Sequence, residues 1–230
     1  MTAPEWQAVR LSLLVGIVAV LSSLPLAIAI AWVLAKWRFA GKFILETLVN
    51  LPLLLPPVVT GYLLLLLLGR NGLLGGWLER TLSVRFVFDW KGAALASAVV
   101  GFPLLVRPIR QAFSAVDERL LQAARTLGAR PWDAFTTIAA PLALPGMLSG
   151  GMLALARSMG EFGATLMIAG NIPGETRTIP LYVYTQLDAP GGFANAWPLV
   201  IASIALSAVA LLAGEILERY GQRRLGRAST

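Results

Sequence analysis

Apolar and polar positions along the chain fall into long blocks rather than a short alternation. Five apolar runs, at about 11–34, 48–68, 90–108, 142–170 and 197–217, are separated by polar segments. At ~1.5 Å of rise per residue, roughly 20 apolar residues cross a ~30 Å hydrocarbon core as a helix. The pattern therefore predicts an all-α polytopic membrane protein of about five spans, forming a single membrane domain over residues 1–230. The first run, Leu11–Leu34, is too long for a signal-sequence core, and neither a basic segment nor a small-residue cleavage site flanks it. Pro25 sits inside it, where Ser22 and Ser23 are placed to satisfy freed backbone groups.

Two of the runs are irregular. The first half of 48–68 holds Asn50, Pro52, Pro56, Pro57, Thr60 and Gly61, and its second half is almost all leucine. Irregular backbone at membrane depth is tolerated only against protein or a water-filled cavity. A kinked packing helix and a pathway-lining helix both fit, and the second makes Thr60 a pathway candidate. The run 142–170 contains Arg157 and Glu161, four apart and so on one face of a continuous helix. Ionisable groups at that depth must be paired or hydrated. An ion pair within the helix fits, and so does a pathway role in which Arg157, beside Ser158, attracts an anion. Between the runs, 70–90 reads as a loop with a short helix near Trp77–Leu82, and 171–196 reads as a loop.

The polar segment Asp117–Pro145, DERLLQAARTLGARPWDAFTTIAAPLALP, stands apart. Leu120, Leu121, Ala124 and Leu127 recur at helical spacing and predict one apolar face. Gly128 is placed as a helix-terminating residue, with Arg125 in the last turn. Pro131 can open a second helix at its first position, with Trp132 and Phe135 on its apolar side. Pro141 and Pro145 are expected to end that helix and lead into the membrane. Residues 117–141 thus predict two short helices joined at a glycine. They form either an amphipathic hairpin lying on lipid or a docking element for another protein.

Composition agrees with the membrane assignment. The chain is 57% hydrophobic and 13% charged, with a mean hydropathy of +0.73, far from the roughly one-quarter charged composition of soluble domains. It has no cysteine and no histidine, which excludes disulfide frameworks, thiolate nucleophiles, His-ligated metal and Ser-His-Asp chemistry. No GxxxxGK[ST] phosphate loop occurs, so ATP hydrolysis is not expected of this chain. The net charge of +7 does not point to nucleic acid, because its distribution follows the membrane pattern. Of nineteen Lys and Arg, twelve lie at or beyond the C-terminal ends of the first, third and fifth runs, six on the other side, and Arg157 deep within a run. The richer side is expected to be cytoplasmic, which puts the N-terminus outside and both the 117–141 loop and the C-terminus inside.

Gln122-Ala123-Ala124, Gly128, Ile138 and Pro141 resemble the cytoplasmic EAA loop of ABC-importer permeases. That pattern is Glu-Ala-Ala, three residues, Gly, nine residues, Ile-x-Leu-Pro, and the spacing here matches throughout. Gln122 replaces the Glu and Ala140 the Leu. The segment Ser158–Tyr184, SMGEFGATLMIAGNIPGETRTIPLYVY, resembles the molybdate/sulfate branch, and the short five-span chain is most similar to the molybdate permeases within it.

The resemblance implies a type I ABC-importer permease fold in which 117–141 forms a coupling helix. Gln122, Ala123, Ala124, Gly128, Ala129, Arg130, Pro131 and Trp132 would then dock the ATPase subunit. It implies a bacterial inner-membrane homodimer passing molybdate, or sulfate or tungstate, from an extracytoplasmic oxyanion-binding protein. ATP would sit on the partner ATPase subunits, with no cofactor bound by this chain. Two other classes of membrane protein fit the sequence less well. A gradient-driven transporter calls for an internal inverted repeat and midplane carboxylates, of which only Glu161 qualifies. A scaffold has no use for the fixed Gly128–Ile138 spacing.

Overall fold

The computed structural model describes residues 1–70, 72–187, 189 and 192–227, and every regular element among them is a helix. Two helices form the central pair. α1 (Ala3–Lys36) starts eight residues before its apolar run, where the Glu5 carboxylate accepts the Thr2 amide at 2.6 Å. Pro25 lies within it. Ser22 and Ser23 bond the carbonyls of Ala19 and Val20, two residues and one residue before the Leu21 carbonyl that Pro25 leaves free, so they do not serve the proline as expected. α5 (Trp90–Ala115) begins at Trp90, is N-capped by Asp89, and runs seven residues past its predicted end at 108.

The pair packs through small residues, with Ala19, Ala27 and Ala31 of α1 buried as are Ala93, Ala94 and Ala96 of α5. The helices run parallel. At one end Lys36 donates to the Val116 carbonyl at 2.8 Å; at the other, Gln7 and Arg10 share a pocket with Asp89 and Trp90.

The run expected as one span at 48–68 is two helices, α2 (Lys42–Leu54) and α3 (Pro57–Leu68), bent by 111°. The cause is the Pro56-Pro57 pair. A residue preceding proline is driven out of the helical region, and Leu55 and Pro56 both sit in extended backbone (ψ 143° and 132°). Pro57 then opens α3 at the position where a missing N–H costs nothing. Neither half is long enough to cross a bilayer. Together they do: Glu46 of α2 pairs with Arg110 near the C-terminal end of α5 at 2.9 Å, while Leu68 of α3 clusters with Ala93 and Ala94 near its N-terminal end. The amphipathic α4 (Gly75–Leu82) follows in the 70–90 loop.

Three further expectations change. The second helix of the polar segment does not end at Pro141 or Pro145. It runs unbroken for 29 residues, Pro131–Met159, as α7 (Pro131–Ala134), a π-turn (Phe135–Ala139) and α8 (Ala140–Met159). The π-turn is the physical reason: the Ala140 amide reaches back five residues to the Phe135 carbonyl, widening the backbone just where the Pro141 ring would meet the preceding turn.

The run 142–170 is likewise not one helix. α8 stops at Met159, and after a break at 160–162 α9 (Gly163–Ala169) resumes. The 171–196 loop, finally, contains α10 (Ile179–Leu187), whose first amide is taken by the Ser12 hydroxyl of α1 at 2.8 Å. α11 (Gly192–Arg227) closes the bundle and exceeds the expected 197–217 at both ends; Gly214 lets it approach Met152 of α8.

Candidate functional site: the polar loop and the broken spans

α6 (Glu118–Thr126) is built as its sequence demands. The Asp117 carboxylate accepts the Arg119 amide at 2.9 Å as N-cap. At the other end Gly128 has φ +91°, its amide bonds the Arg125 carbonyl, and the Ala129 amide bonds the Ala124 carbonyl. That pair of bonds is the Schellman closure, which requires a left-handed residue at the glycine position. No atom lies within 4 Å of where a Gly128 Cβ would stand, so the glycine is there for its backbone and not for room. The turn passes directly into the next helix. Arg130 donates its amide to the Asp133 carboxylate at 3.1 Å, and Pro131 takes the first helical position.

The loop is keyed into the bundle. Leu121 and Ala134 are buried in the same cluster as Leu34 of α1 and Phe113 of α5. Phe135 joins Trp32 of α1, Phe113 of α5 and Trp132 of the loop in one aromatic cluster, with centroids 5.0–5.9 Å from its own ring. Of the residues expected to dock a partner, Gln122, Ala123, Gly128, Arg130, Pro131 and Trp132 are exposed, while Ala124 and Ala129 are half-buried.

The apolar face of α6 is narrower than expected. Leu120 is 48% and Leu127 88% exposed, so both point away from the bundle. Leu127 and Trp132 thus flank Gly128 as two apolar projections on a polar surface. Periodicity assigns Leu127 to the packed face. Its place after the last helical turn, where the chain reverses, is the signal that it projects instead.

The pathway candidates gather at the other end of α8. Ser158 packs against Gly16 of α1 and Gly101 of α5, midway along both, which puts the end of α8 near the middle of the bundle's height. Arg157 is the last-turn residue and Glu161 lies in the break, so they do not share a continuous helix face. They still meet, Arg157 Nη2 to Glu161 Oε2 at 2.8 Å. Glu161 Oε1 also accepts the Ala164 amide at 2.9 Å, which ties its carboxylate to the first turn of α9 from one residue before the N-cap, Phe162.

The α2–α3 break lies at the same level. A Cβ on Gly163 would meet Val58 and Pro57 at 3.0–3.2 Å, and one on Gly61 would stand 2.6–2.8 Å from Ala164 and Met167. Thr60 is 5% exposed and its hydroxyl has no partner, so it faces protein and not an open passage in this conformation.

The Glu161 side chain is 1% exposed and that of Arg157 31%. Arg157 shares its helix with the outward-facing Leu144, Leu148 and Leu153. At the bundle end away from the polar loop, Arg177 donates to Asn171, which in turn donates to the Thr185 hydroxyl, bracing the segment before α10.

These features define a class: a polytopic membrane subunit with an exposed, rigidly seated loop at one end and two helix breaks abutting at mid-height. The chain belongs to the family of binding-protein-dependent transport system inner membrane components, whose model matches residues 13–225. It is 54% identical to the molybdenum transport system permease protein ModB of Escherichia coli K12, over 99% of each chain. It is 49% identical to the ModB of Haemophilus influenzae, over 98% of each. Its fold also matches a chain of the bacterial alginate ABC transporter in complex with its pentasaccharide-bound periplasmic protein. The TM-score there is 0.70 at 19% identity, covering 97% of this chain and 80% of that one, so the fold is that of an ABC-importer permease.

Proposed function

We propose that this chain is the membrane-spanning subunit of an ATP-driven importer that passes molybdate into the cytoplasm. Two copies form the pathway, two ATPase subunits carrying the ATP dock on the 117–134 loops, and an extracytoplasmic binding protein delivers the oxyanion at the opposite end. The N-terminus is outside and the C-terminus cytoplasmic. The chain itself carries transport and no ATP hydrolysis.

The observation that carries the mechanism is the loop between α5 and α8. It offers Gln122, Gly128, Trp132 and Leu127 outward while Leu121, Ala134 and Phe135 root it in the bundle. Because α7 continues without interruption into α8, movement of the loop tilts α8 as a lever, whose far end is the break at Gly160. Full-length identity to two ModB proteins supports molybdate as the cargo. Arg157, Ser158, Glu161 and Thr60 lie beside the breaks, where alternating access would open and close.

Purification of the chain from native membranes, with identification of the co-purifying ATPase, tests this reading. Molybdate delivered by the binding protein is expected to stimulate ATP hydrolysis more than equimolar sulfate. A chain that purifies without any ATPase and transports without ATP would overturn it.

A further inference from the structure

Arg157 is a charge partly open to its surroundings at mid-height in a membrane protein. Such a side chain is not left against lipid; it faces water or protein. One guanidinium nitrogen, Nη2, lies 2.8 Å from Glu161 Oε2 as a charge contact without hydrogen-bond alignment, and the side chain makes no other contact to a side-chain acceptor among the described residues. Glu161 cannot follow it outward, because its carboxylate is buried and held by the Ala164 amide in the first turn of α9.

Resting on the importer reading, we propose that Arg157 is the transit contact for the oxyanion and that Glu161 is its built-in counter-charge. The remaining N–H groups of the guanidinium match a tetrahedral dianion in the forked geometry that arginine favours. An uncompensated arginine in a low-dielectric passage would hold a dianion too firmly for release. Glu161 sits on the protein side of Arg157 as a fixed surrogate anion. It lets the guanidinium attract the cargo on its open edge while repelling it enough to let go. Specificity for doubly charged tetrahedral anions and speed of passage then come from the same pair. The two abutting breaks are what bring it to mid-height.

Glu161→Gln separates charge from structure, since the glutamine oxygen can still accept the Ala164 amide. The test uses the full complex, this chain with its ATPase and binding protein, in proteoliposomes. Labelled-molybdate binding to the ATPase–permease complex is measured in parallel, without the binding protein. Glu161→Gln is expected to bind molybdate roughly tenfold more tightly than wild type and to lower the maximal uptake rate by a similar factor. Arg157→Gln loses both binding and uptake. Arg157→Lys, which keeps the charge and the Glu161 partner but not the fork, raises the KM for uptake.

Wild-type binding and kinetics in Glu161→Gln, or weaker binding there, would overturn the proposal. If Glu161→Gln does not assemble, an unchanged KM in Arg157→Lys overturns it. A wild-type complex inert to molybdate would instead sink the importer reading. The binding arm, repeated with sulfate and tungstate, still decides the role of the pair.

Discussion

Phe135 stands edge-on to Trp32, ring centroids 5.0 Å apart and planes 75° from parallel, which ties the root of the polar loop to α1. On its other side Phe135 stacks on the exposed Trp132 at 5.4 Å, and Phe113 of α5 lies 5.9 Å away. A push on Trp132 therefore reaches both central helices through one ring.

Phe135→Ala is expected to uncouple the complex. Uptake should fall while ATP hydrolysis persists, so that the ATP spent per molybdate rises roughly tenfold, equivalent to about 1.4 kcal/mol of lost coupling. Phe135→Tyr, which keeps the ring, should restore the ratio. Parallel loss of hydrolysis and uptake would mean that the ring matters only for folding.

Gly128 separates backbone from surface. Gly128→Ala has room for its Cβ but must hold φ +91°, a strain of about 1–2 kcal/mol, and should weaken uptake without abolishing it. Gly128→Trp adds bulk between Leu127 and Trp132 and should abolish uptake while the chain still inserts in the membrane. Comparing membrane abundance with uptake in the two variants checks this.

The abutting breaks make a packing prediction. Gly61→Ala would drive a Cβ to 2.6 Å from the Ala164 carbonyl oxygen, whereas Gly151→Ala meets nothing nearer than Val20 at 3.7 Å. Overpacking of this kind costs about 1–3 kcal/mol. Thermal unfolding in detergent should therefore show a clear loss for Gly61→Ala and almost none for Gly151→Ala.

Ser12→Ala leaves the buried Ile179 amide without its acceptor, at a cost of about 1–3 kcal/mol. Faster limited proteolysis around α10, with the polar loop as resistant as in wild type, is the expected outcome.

The polar loop was the most legible part of the chain because each of its devices is local. Gly128 closes one helix and Pro131 opens the next, and neither needs a tertiary partner. The breaks were less legible because prolines act by context. Pro25 and Pro145 sit inside helices, Pro141 is absorbed by a π-turn, and within the expected spans only the consecutive Pro56-Pro57 pair turns the chain.

At Gly160 the Arg157–Glu161 spacing suggests a helix continuing through both, yet the Glu161 carboxylate instead holds the Ala164 amide at the start of the next helix. The N-cap there is Phe162, not one of the favoured capping residues, so the i,i+4 pattern masks the stop. α10 was missed because its Pro180 reads as a breaker, and because the acceptor of its first amide, Ser12, lies 167 positions away.

The chain contains no cysteine, so a single introduced thiol reports cleanly on its surroundings. The most direct test of the docking loop is crosslinking from Leu127→Cys or Trp132→Cys in native membranes, with Glu175→Cys at the opposite end as control. Crosslinks from 127 and 132 to the ATPase subunit, altered by ATP and absent from 175, are the predicted result. Assembled complexes in which 127 and 132 label only from lipid would contradict it and make the loop a membrane-surface helix.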